Sequence, residues 1–177
     1  MKSTNSTLYR YFAGLTEFAF QAQLGIADPP LVDYISGLLV RFVRVDAIHK
    51  IRSLSGRPMT EVAEMIAEAN ERMGTARRQV HRHIGDFTLF WAGVYPEALR
   101  EMRSPTKKDH FIDYCSQGKR AYRIASGIEA DPAEDASSDI LERLSREFEM
   151  CAYGLREVRR EWERRDEDEQ RQALLFD

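Results

Sequence analysis

Apolar residues recur along this chain at steps of three and four, the spacing that lines up one face of a helix. After Asp28-Pro29-Pro30, the residues Leu31, Tyr34, Ile35, Leu38, Phe42 and Val45 make one such stripe, and Val80, Ile84, Phe87 and Trp91 make another. The most regular pattern is the last. Leu141, Leu144, Phe148, Cys151, Leu155, Val158 and Trp162 alternate the two steps over three heptads and read as a coiled-coil-like seam. No strand pattern competes with these stripes.

Prolines punctuate the periodic stretches at Pro29, Pro58, Pro96, Pro105 and Pro132, each where a first helical turn has no N–H bond to lose. The pattern predicts six main helices, near 6–24, 30–53, 59–72, 75–92, 108–127 and 132–165, with a short one near 96–103. The expected fold class is therefore all-α, a compact bundle of six or seven helices with a long heptad-patterned C-terminal helix. Residues 1–165 form a single helical domain in this reading, and 166–177 a charged linker with a short apolar C-terminal tail. The seam can wrap its own bundle or meet its twin, and a homodimer is expected.

Composition narrows the class of protein. A hydrophobic share of 43% over 177 residues is enough to bury a core without a staple. The two cysteines, Cys115 and Cys151, have no paired spacing, so neither a disulfide framework nor a thiolate metal site is written here. The first residues lack the apolar run of a signal peptide, and no window approaches a membrane span. The expectation is a cytoplasmic protein with no membrane partner.

Net charge is −3, unevenly laid out: residues 1–123 hold 18 basic and 13 acidic groups, and 124–177 hold 8 and 16. The halves carry +5 and −8, which predicts internal compensation. Arg41, Arg44, Lys50, Arg52 and Arg57, with Arg72, Arg77, Arg78 and Arg82, are dense enough to hold phosphates. Yet Glu61, Glu64, Glu68 and Glu71 lie between the two sets, and no helix-turn-helix pattern or interleaved stacking aromatics accompanies them. A solvated or internally paired face is expected, and nucleic acid is not.

Three pairs at i, i+3 carry the candidate metal chemistry: Asp46 with His49, His83 with Asp86, and His110 with Asp113. Helical bundles build metal sites from inward carboxylates and histidines, so these six residues would take a transition metal if they converge. The sharper Glu-x-x-His signature is absent, and the same pairs can simply lock helix packing. No Gly-rich phosphate loop, Gly-x-Ser-x-Gly elbow or reactive Cys and His arrangement is present. The chain is accordingly read as a non-catalytic interaction or regulatory protein, with a metal-binding enzyme or sensor as the alternative.

Two segments resemble known proteins. Gln172-Ala173-Leu174-Leu175-Phe176 resembles the short bacterial sliding-clamp-binding peptide. In such peptides glutamine hydrogen-bonds at one subsite while leucine and phenylalanine fill an apolar pocket, so Gln172, Leu174, Leu175 and Phe176 would contact a clamp. The run Gly85-Asp86-Phe87-Thr88-Leu89-Phe90-Trp91-Ala92-Gly93-Val94-Tyr95-Pro96-Glu97 resembles a segment of a group of small uncharacterised all-helical bacterial proteins. The likeness continues through Asp113-Tyr114, Gly118 and Ala121-Tyr122 and implies a fold but no activity. Gly85, Gly93 and Gly118 would allow close helix approach or a turn, and Asp86 would form a buried pair with Arg82.

Overall fold

A computed structural model describes the backbone at residues 2–44, 58–101 and 110–175, and side chains at 7–43, 62–101, 110–169 and 171. Among these residues there are eight α-helices and no strand, an all-α bundle. Helix α1 (Lys2–Glu17) runs into a π-helical stretch, Phe18–Gln23, and the chain turns away at Gly25, whose φ of +68° suits a residue without a Cβ. Helix α2 (Pro29–Arg44) opens on its proline pair, and the Asp28 carboxylate accepts a bond from the Leu31 N–H at 3.1 Å as the cap. Pro58 and Pro96 likewise open α3 (Pro58–Glu71) and α5 (Pro96–Glu101), with α4 (Gly74–Val94) between them.

Helix α6 (His110–Ser126) follows. The chain then departs from the pattern read in the sequence, because Pro132 starts no helix. Residues 127–137 form an irregular loop, and α7 (Ser138–Arg146) begins where the Ser137 hydroxyl accepts a bond from the Ile140 N–H at 3.2 Å. The predicted single last helix is also broken. Glu147, at φ −108° and ψ 26°, separates α7 from α8 (Phe148–Leu175), and helical backbone continues through the charged run as far as Leu175.

Helix α4 is the axis of the bundle and packs against α6, α8, α3 and α2. Every residue from Ile84 to Val94 is buried, so this half of the helix is covered all round. Glycines permit the close approach that such coverage needs. A Cβ on Gly85 would stand 2.6 Å from the Tyr122 ring, and one on Gly93 would stand 2.6 Å from Leu155.

Six of the seven seam residues, Leu141 to Val158, are buried, and half-buried Trp162 meets the Phe12 ring edge-on at 5.3 Å. The seam therefore faces the chain's own core and is not offered to a second copy. No described helix is long and apolar enough to cross a membrane.

Candidate functional site

The densest polar chemistry sits where α2, α4, α6 and the 127–137 loop converge, around the buried carboxylate of Asp86. Asp86 lies on the buried half of α4. Its Oδ1 accepts bonds from the hydroxyls of Tyr34 (α2) and Tyr122 (α6), both at 2.7 Å. Its Oδ2 accepts from the Arg41 guanidinium at 2.9 Å. The expected Asp86–Arg82 pair is corrected on this point: the direct cation is Arg41, from another helix, and Arg82 reaches Asp86 only through Tyr34. Arg82 Nε donates to the Tyr34 oxygen at 3.1 Å, and its Nη1 donates to Asp135 at 2.9 Å and to Glu134 at 3.4 Å.

Electrostatics follow from this wiring. Burial, reinforced by the Asp86 charge, raises the Tyr34 and Tyr122 hydroxyls well above the ordinary phenol range, so both stay neutral donors. Burial works against the charge on Arg82, but Tyr34 and Asp86 more than offset it and hold the guanidinium firmly protonated. Both Arg41 and Arg82 also lie over the Tyr34 ring, at 5.5 and 5.4 Å from its centre.

Beside this cluster Arg78 is wholly buried. Its Nε donates to Glu134 at 2.8 Å, and its Nη groups donate to the carbonyls of Ala125, Ile128 and Ala136 and to the Ser138 hydroxyl. These five partners span the end of α6, the loop and the start of α7, so a single side chain holds that loop down. The arginines expected opposite the α3 glutamates thus divide. Arg72 pairs with Glu68 at 2.5 Å, whereas Arg78 and Arg82 turn to Glu134 and Asp135.

Two hollows open on the cluster, of about 400 Å³ beside Tyr34 and Asp33 and about 310 Å³ beside Arg82 and His83, with Arg41 and Asp135 common to both. Both Asp86 oxygens are engaged by donors, so taking a proton from an outside group would mean breaking one of those bonds.

The His/Asp pairs fare unequally. His83 is exposed and stacks on Phe42 with ring centres 6.2 Å apart, while Asp86 points inward to Tyr34, Tyr122 and Arg41. His110 is buried at the start of α6, and Asp113 is half-buried one turn on. Among the described residues no group of three or more His, Cys, Asp or Glu is placed to hold a metal ion. Asp46, His49 and Phe176 lie outside the described residues. Gln172, Leu174 and Leu175 have helical backbone whose side chains also lie outside them.

Sequence reasoning missed Tyr34, Glu134 and His81 as members of polar sites. Nothing local marks them, because Tyr34 stands 52 residues from Asp86 and Arg78 stands 56 from Glu134. The chain matches no protein-family model, no curated protein and no solved structure at a significant level.

Proposed function

We propose that this chain is a non-catalytic interaction or regulatory module that docks through the far end of α8. The observation that carries the reading is the exposed arm of that helix. Beyond Trp162, residues 163–169 and 171 are all polar or charged and are exposed or half-exposed. At 28 residues, α8 is about 42 Å long, more than its buried seam uses.

A helix with no apolar face needs other support, and here its own ladder supplies it. Arg164 and Arg165 both reach Glu161, Arg164 also reaches Asp168 at 3.3 Å, and Arg159 reaches Glu163 at 2.7 Å. Hydrogen bonds from Arg164, chiefly, hold the Glu161 carboxyl down at about 2, so the ladder stays charged at neutral pH. Such an arm extends the helical backbone past the buried seam as far as Leu175, next to Phe176 in the sequence.

The partner we assign is a bacterial sliding clamp, on the resemblance of Gln172 to Phe176 to clamp-binding peptides. Titration calorimetry of purified clamp against the intact chain and against a chain ending at Arg171 tests the assignment. Loss of at least tenfold in affinity on truncation supports it. Clamp binding that is absent in the intact chain, or unchanged by truncation, ends it.

A further inference from the structure

On the opposite flank of α4, between α3 and α6, lies a cavity of about 110 Å³ whose polar groups are not spent on the protein. His81 is 4% exposed, and neither of its ring nitrogens has a hydrogen-bond partner; Arg77 Nε is buried and equally unpartnered. Among the described residues neither Arg77 nor Arg120, which also lines the cavity, has a carboxylate partner. The contrast with Arg78, the next residue along, is complete. That guanidinium is sealed by five partners, while Arg77 turns into a cavity and finds none.

Buried donors without partners are costly, and two cations beside them make the cavity electropositive. The charged or titratable groups on its wall are Arg77 and His81 from α4 and Arg120 from α6, and α3 contributes the neutral Ile66 and Asn70. Among the described residues no acidic group lines the cavity beside the imidazole. Burial first, then the charges of Arg77 and Arg120, push His81 towards its neutral form. At about 110 Å³ the cavity suits one small oxyanion and is well below the few hundred Å³ of a cofactor pocket.

We propose that this cavity binds a phosphate-type tetrahedral oxyanion, free or as a phosphomonoester, with Arg77 and Arg120 as its charge partners and His81 as a hydrogen-bond donor. Forked guanidiniums match the oxygens of such an anion, and its two charges are what two arginines without carboxylate partners balance. An anion seated there reverses the electrostatics at His81 and favours its protonation, so binding takes up a proton. The lining comes from α3, α4 and α6 and includes no residue of α8, so the site stands whether or not the clamp assignment does.

Titration calorimetry with sulfate, inorganic phosphate, methyl phosphate and acetate tests this, together with nitrogen NMR of the His81 ring. The expected result is saturable binding of the tetrahedral anions over acetate, with the His81 resonances moving in step. Tighter binding of methyl phosphate than of phosphate assigns an ester as the natural ligand, and the reverse order assigns the free ion.

Arg77→Met and Arg120→Met, at half-exposed and exposed positions, each lower sulfate affinity at least tenfold. Sulfate keeps its charge between about pH 5 and 8, so a rise in its affinity of several-fold as pH falls, abolished in His81→Gln, reports the imidazole alone. No saturation by about 10 mM anion, acetate binding as tightly as sulfate, or His81 signals that stay still in the native protein overturns the proposal.

Discussion

Replacing Tyr122 by phenylalanine deletes one oxygen from the interior and leaves the ring that packs against Gly85 in place. The lost hydroxyl donates at 2.7 Å to the buried Asp86 carboxylate, a charge-assisted bond worth about 1.5–3 kcal/mol. Asp86 Oδ1 retains Tyr34 and Oδ2 retains Arg41, so the carboxylate is weakened and not orphaned. For a chain of this length about 1 kcal/mol moves Tm by roughly 2–4 °C, which places Tyr122→Phe some 3–12 °C below the parent.

Asp86→Asn should cost more. An amide oxygen can still sit between the two phenols, but its NH2 would then face Arg41, donor against donor. Urea melts followed by circular dichroism, with calorimetry for Tm, measure both variants. A Tyr122→Phe protein within about 0.5 kcal/mol of the parent, with Asp86→Asn no worse, would refute the account of a charge held by two phenols.

The same network sets an alkaline limit. Both phenols ionise in the native state well above their ordinary value of about 10, so below that pH neither state has lost a proton and their contribution is complete. Above it the unfolded chain releases protons that the native chain keeps, and each phenol lowers stability by about 1.4 kcal/mol per pH unit until its native pKa is reached. Tyr34→Phe/Tyr122→Phe should flatten that limb.

Two further substitutions probe the frame around the site. Gly85→Ala should destabilise by about 1–3 kcal/mol in urea melts, because its methyl would overlap the Tyr122 ring, whereas Gly14→Ala, at an exposed position of α1 with nothing within 4 Å, should stabilise by about 0.5–1 kcal/mol. Arg78→Met should cost about 3–5 kcal/mol by leaving buried Glu134 only its long bond from Arg82 and the Ile128 and Ala136 carbonyls without that donor, and amide hydrogen exchange should show the 127–137 loop losing protection before the rest of the bundle. In Arg78→Lys a single ammonium cannot span five acceptors, so the charge alone should recover less than half of that loss.

The helical architecture was legible because it rests on local signals. The Leu31 to Phe42 stripe is buried or nearly so, Pro29, Pro58 and Pro96 open helices, and the glycine-rich contacts of α4 fall at Gly85, Gly93 and Gly118. Where a tertiary partner overrides the local pattern, the reading failed. Pro132 invites a helix, but Arg78 draws the carbonyls of Ile128 and Ala136 inward, and the helix waits for the cap at Ser137. The break at Glu147 carries no glycine or proline to announce it.

The candidate site was legible only as residue types. Spacing of i, i+3 suggested that His83 and Asp86 act together, yet one faces solvent and the other the core, because three residues on a helix turn far enough to cross the boundary of a buried face. Which of Arg41 and Arg82 would meet Asp86 depends on how α2 and the 127–137 loop lie against α4, and no local pattern encodes that.

The late position of α8 also bears on how the protein comes to be folded in a cell. Leu155 fills the slot at Gly93, the Phe148 ring covers Gly118, and Phe20 lies against Gly154, so surfaces made early in the chain are closed by a helix synthesised well after them. Until that helix leaves the ribosome the nascent chain presents open, glycine-lined grooves and bare aromatic rings, the kind of surface that chaperones hold. A premature stop before Phe148 would thus be expected to yield an aggregation-prone product for quality control, and not a smaller working domain.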